Sequence, residues 1–143
     1  MVYFIDTNIF LRVLYKEYPQ LYQDCRNLLK AVKENKIGAF TGTIVLTEVV
    51  YTLKSYYKFE KDKILQGLKG IINLGNLAII DTYNHLLAQQ LFEKYPIKYT
   101  DALIASNEDI YSKKTCIVSY DTDFDKLKVL RQEPREVIKG ILP

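Results

Sequence analysis

Four short apolar runs, Val2–Ile5 and residues 37–40, 77–80 and 115–119, are separated by longer stretches with the three-four spacing of amphipathic helices. Of all features in the sequence, this alternation constrains the fold most. The runs are apolar almost throughout, not at every second residue. That is the pattern of strands covered on both faces, and such strands belong to parallel sheets joined by helices. The expected class is α/β.

The intervening segments read as follows. A helix is expected directly after Asp6-Thr7-Asn8. Leu21, Cys25, Leu28, Leu29 and Val32 mark one face of a second, ending near Asn35. Residues 43–53 carry the Thr and Val of a strand, but their length and lack of alternation favour a buried helix. Residues 60–73 are helical up to Gly75-Asn76, and residues 82–95 form a helix stopped by Pro96. Thr100 opens the last, which continues through Tyr111 to Ser112.

A chain of 143 residues, 48% of them hydrophobic, is expected to form one domain over 1–143, and no repeat or Pro- or Gly-rich linker divides it. Its start, Met-Val-Tyr-Phe-Ile-Asp, has no basic segment or small-residue cleavage site, and no uncharged stretch is long enough for a bilayer, so a cytoplasmic location is expected. With only Cys25, Cys116 and His85, a four-ligand Cys/His zinc site is excluded, and a bound metal must be held by oxygen. The net charge of +3 permits a nucleic-acid partner without announcing one. Lys54, Lys58, Lys61, Lys126 and Arg131 are the basic candidates for such a face.

Most of the 17 acidic residues lie beside lysines in polar runs and read as solvated helix faces. Four do not. Asp6 ends the first apolar run, Glu48 lies between Ile44-Val45-Leu46 and Val49-Val50-Tyr51, Asp101 precedes Ala102-Leu103-Ile104-Ala105, and Asp121 follows Cys116-Ile117-Val118. A carboxylate removed from water costs several kcal/mol unless it is partnered. The same apolar segments offer no basic residue, whereas one divalent cation satisfies several carboxylates together. Asp6 and Asp121 also stand at the carboxyl ends of expected strands, where open α/β sheets place their sites. Each acid has a plainer reading too: Asp6 and Asp101 as helix caps, Glu48 facing solvent beside Thr52 and Ser55, and Asp121 with Asp123 and Asp125 as turn formers.

Asp6-Thr7-Asn8 after a short apolar strand, Thr43-Ile44-Val45-Leu46-Thr47-Glu48, Asp101-Ala102-Leu103-Ile104-Ala105 and Ser119-Tyr120-Asp121-Thr122-Asp123-Phe124 resemble, in order and spacing, the four motifs of the PIN domain family. The resemblance runs almost end to end. It implies a three-layer α/β/α sandwich with a central parallel sheet of about four to five strands. It also implies a Mg²⁺- or Mn²⁺-dependent ribonuclease. Asp6, Glu48, Asp101 and Asp121 fall at the acidic positions. Asp123 is an alternative fourth acid, and Asn8 and Ser119 are supporting groups. Many members of this length are the toxin halves of toxin-antitoxin pairs, commonly homodimers, so an RNA substrate and a small antitoxin are the partners implied. Two other nucleic-acid roles remain open: an RNA-processing nuclease without an antitoxin, and a catalytically silent RNA- or protein-binding module. A phosphatase beginning with strand-Asp-x-Asp is disfavoured, because Asn8 stands where its second carboxylate belongs.

Overall fold

The computed structural model describes residues 1–141. Its centre is a five-stranded, all-parallel sheet of order β3-β2-β1-β4-β5, built from β1 (Val2–Ile5), β2 (Gly38–Thr41), β3 (Leu77–Ile79), β4 (Thr115–Val118) and β5 (Arg131–Gln132). Helices flank it: α1 (Thr7–Leu14), α2 (Pro19–Lys33), α3 (Thr43–Ser55), α4 (Lys61–Ile72), α5 (His85–Lys94), α6 (Tyr99–Ala105), α7 (Glu108–Tyr111) and α8 (Pro134–Ile141). The architecture is the α/β/α sandwich with a parallel sheet expected from the sequence. No helix among the described residues is long and apolar enough to cross a membrane.

The strand order decides where a site can form. From β1 the chain winds outward to β2 and β3, then returns to the other side of β1 to lay down β4 and β5. The winding reverses between β1 and β4, and the carboxyl ends of strands at such a switch point are where open α/β sheets place their binding crevice. Register Ile5↔Val118 aligns those ends, and the Asp6 amide extends the ladder by donating to the Val118 carbonyl at 3.1 Å. Asp6 and Ser119 are thereby neighbours at the head of the crevice.

The two middle strands are apolar for the expected reason. All of β4 is buried, as are Phe4 and Ile5 of β1, and Ile117 and Val118 pack with Phe4, Ile5, Ile9, Phe10 and Phe124 in one core cluster. Cys25 and Cys116 are buried free thiols within the packing.

Four elements differ from expectation. The helix expected over 82–95 starts only at His85, because Asn84 caps it by accepting the Leu87 amide at 3.0 Å. The helix expected through Tyr111 breaks at Ser106-Asn107, where the Asn107 carboxamide takes over the amides of Asp109 and Ile110 and starts α7 afresh. Strand β5 is two polar residues on the sheet edge and has no hydrophobic signature. Helix α8 was not anticipated, although Pro134 at its first position and Glu136 accepting the Glu133 amide at 2.7 Å are start signals.

Candidate active site

Asp6 is 5% exposed and occupies the N-cap position of α1, yet its side chain makes no capping hydrogen bond. It turns instead toward β4. Ser119 Oγ donates to Asp6 Oδ2 at 2.6 Å, and Asn8 Nδ2 donates to the same oxygen at 3.3 Å. The fully buried Ser119 hydroxyl also accepts from Asn8 Nδ2 at 2.9 Å and from the Asp121 amide at 3.0 Å, which uses its one proton and both lone pairs. Asn8 Oδ1 accepts the Tyr120 amide at 3.2 Å. These bonds lock the β1–α1 and β4 loops together. Burial pushes the Asp6 carboxyl up to about 6, against the Ser119 hydrogen bond, with Glu48 and Asp121 adding repulsion.

Asp101 lies in the first turn of α6, 2% exposed, and its Oδ2 is buried without a hydrogen-bond partner. The helix terminus favours its charge, but desolvation outweighs that and lifts the carboxyl to about 7. Lys98 opposes the rise, while Asp121, Asp6 and Glu48 add to it.

Asp121 and Asp123 are half-buried. Asp121 Oδ1 accepts the Asp123 amide at 2.9 Å and so caps the 3₁₀ turn Thr122–Leu127. The turn-forming reading is therefore correct for that oxygen, and Asp121 Oδ2 is left facing Lys98 Nζ at 3.7 Å. Asp123 Oδ1 accepts from Lys126 Nζ at 2.9 Å. One carboxylate oxygen from each of Asp101, Asp121 and Asp123 lies within 4.8 Å of the others. Glu48, half-buried beside Val45 and Val49 on α3, and Asp6 stand outside that tight trio but within reach of its charge.

The expectation that all four acids are buried holds fully for Asp6 and Asp101. Glu48 and Asp121 lie on the flank of their elements, where neighbouring apolar residues face the core and they do not. Asp125 takes no part, because Arg131 Nε and Nη2 hold its two oxygens at 3.0 and 3.1 Å. Arg131 Nη1 also donates to the Ser119 carbonyl at 2.9 Å, and with its side chain only 14% exposed it is a strut of the β4–β5 loop, not a free surface cation.

Two residues had escaped the sequence reading. Asp81 reaches from the end of β3 to the start of α3, accepting the Thr43 amide at 2.7 Å and the Thr43 hydroxyl; this fixes the helix that carries Glu48. Lys98, the N-cap of α6, is the cation at the crevice. Its position at the positive end of a helix dipole, three residues before Asp101, was the available signal.

The oxygen donor set, the orphaned Asp101 Oδ2 and the mutual repulsion of the acids fit a hard divalent cation such as Mg²⁺ or Mn²⁺. A twisted parallel sheet with an acidic crevice at its switch point defines a class of α/β protein with a potential cation centre. The chain belongs to the PIN domain family, whose model matches residues 3–130. Among solved structures it is similar to VapBC2 from Rickettsia felis bound to a DNA fragment from their promoter, with 25% identity over 93% of this chain and 98% of that chain and a TM-score of 0.64. It shares its fold with VapBC-1 from nontypeable Haemophilus influenzae at 15% identity, over 94% of this chain and 99% of that chain, TM-score 0.62. No curated protein matches it in sequence.

Proposed function

We propose that this chain is a Mg²⁺- or Mn²⁺-dependent endoribonuclease, the toxin component of a toxin-antitoxin pair. The observation that carries the reading is Asp101 Oδ2, a buried carboxylate oxygen without a partner, on a residue whose carboxylate lies with those of Asp121 and Asp123. An unpaired buried charge is retained against its cost where it serves a ligand.

In this reading Asp6 and Asp101 are the main ligands, and Glu48 and Asp121, with Asp123 beside them, complete the ion's shell or order the attacking water. When bound, the ion supplies positive charge against the developing charge of the phosphodiester and makes a water more acidic for in-line attack. The chain's own residues do the rest. Ser119 and Asn8 hold Asp6 through Oδ2 and so fix its rotamer without reorganisation. Asp121, tethered to the Asp123 amide through Oδ1, keeps Oδ2 in place. Raised carboxyls mean that below about pH 6 protons occupy the oxygens that an ion needs.

RNA as substrate follows from the family resemblance, and an antitoxin partner from the likeness to the VapBC structures; a homodimer and a cytoplasmic setting are the matching expectations. The test is digestion of structured and single-stranded RNA with Mg²⁺, Mn²⁺ or chelator, using wild type, Asp6→Asn and Asp101→Asn. Cleavage should require the ion and vanish in both variants. Full activity in either variant sinks the ligand assignment, and an inert wild type under every condition favours a binding module. For the toxin role, a small DNA-binding protein encoded immediately upstream should co-purify with this chain.

A further inference from the structure

The only ammonium that the described residues bring to the carboxylates of the crevice without a hydrogen bond of its own is that of Lys98. Lys126 is hydrogen-bonded to Asp123, and Arg131 is held by Asp125 and the Ser119 carbonyl. Lys98 Nζ stands 3.7 Å from Asp121 Oδ2, too far for a hydrogen bond, and its side chain is 60% exposed. It also feels the charges of Asp101, Glu48 and Asp6. The ammonium thus sits beside the half-buried Asp121, held by charge and by little else, and it leaves Asp101 Oδ2 unsatisfied. A loose monovalent contact of this kind is readily displaced by a divalent ion that gathers several oxygens at once.

We propose that Lys98 is a further residue of the site with two consecutive partners: the carboxylates in the ion-free chain, then a phosphate oxygen of the bound nucleic-acid strand once a divalent ion has taken the carboxylates. The inference rests on reading the acidic crevice as a divalent-ion site. As the first partner's counter-charge, Lys98 holds the acids together while they await the ion and weakens the ion's binding by competing for Asp121. Displaced, a half-exposed ammonium at the crevice mouth is free for a backbone phosphate, which Lys meets as a point charge.

Mn²⁺ affinity by electron paramagnetic resonance and melting with chelator and with saturating Mn²⁺ test this on the full chain, in wild type, Lys98→Met and Lys98→Arg. Lys98→Met is expected to bind Mn²⁺ roughly fivefold more tightly. It should melt lower than wild type in chelator and match it in saturating Mn²⁺, whereas a merely structural lysine would leave the same deficit in both. Lys98→Arg should restore both properties toward wild type. On RNA, Lys98→Met should raise KM more than it lowers kcat, and the slope of log(kcat/KM) against log[salt] should flatten by about 0.7, the loss of one single-strand phosphate contact. Unchanged or weaker Mn²⁺ binding in Lys98→Met, or a melting deficit that persists in Mn²⁺, overturns the proposal while the ion site stands. A wild type that binds no Mn²⁺ overturns the ion site, and the role of Lys98 falls with it.

Discussion

Replacing Asp101 by Asn should stabilise the ion-free protein, an outcome opposite to that of most polar substitutions in a packed region. Burial lifts the Asp101 carboxyl from 3.8 to about 7. Below about pH 3, under both values, the group is protonated whether the chain is folded or unfolded, and it costs folding nothing. As pH rises, the unfolded chain gives up the proton while the folded chain must keep it, so stability is lost progressively until the folded carboxyl also ionises near pH 7. The gap corresponds to about 4 kcal/mol as an upper limit, and relaxation with water entry reduces it to about 2–3 kcal/mol. Asn has the shape of the protonated acid and carries no charge, so Asp101→Asn removes this penalty. Urea denaturation in chelator should therefore show the variant about 2–3 kcal/mol more stable at about pH 8 and near wild type at about pH 3. Mn²⁺ should reverse the order, since at about a thousand times its Kd an ion adds about 4.1 kcal/mol to the chain that binds it and nothing to one that does not. An Asp101→Asn protein that is no more stable than wild type at the higher pH would falsify the claim that burial of Asp101 outweighs the compensation it receives from Lys98 and the helix terminus.

Three further perturbations probe the frame around the crevice. Ser119→Ala removes the donor to Asp6, takes one of the bonds of the Asn8 carboxamide and orphans the Asp121 amide; it should cost about 1–3 kcal/mol in denaturant and move the acid limb of any activity profile to higher pH. Asp81→Ala frees the first turn of α3 and should lower stability by about 1–2 kcal/mol; hydrogen exchange should quicken at the start of that helix, and uniform exchange would contradict the clamp. Gly70 lies on an exposed face of α4 with nothing within 4 Å of an added Cβ. Gly70→Ala should therefore raise the denaturation midpoint by the equivalent of about 0.5–1 kcal/mol without changing ion binding.

The division between what could and could not be read from the residues is clearest in particular elements. Strands β1 and β4 and helices α2, α3 and α4 were legible because their signals are local: an apolar run or a three-four stripe reflects which face the core covers. Strand β5 was not, since a two-residue edge strand needs only backbone groups, and any sequence supplies those. The break between α6 and α7 hinged on one carboxamide, Asn107, choosing backbone amides over solvent.

The candidate site divides along the same line. Sequence by itself determined that Asp6, Glu48, Asp101 and Asp121 interrupt segments that ought to be apolar, and their order along the chain carried the family resemblance. Tertiary structure decided what each one touches. Asp6 gives an oxygen to Ser119, 113 residues away, and so does not act as the helix cap its position suggests. Asp123 joins the trio while Asp125, two residues on, is taken by Arg131. Lys98 stands over Asp121 although it belongs to none of the apolar segments. The reason is physical. Periodicity and burial are imposed by a residue's own backbone and nearest turns, whereas the partner of a buried charge is whichever group the sheet order brings within about 4 Å, and that order is fixed by the whole chain.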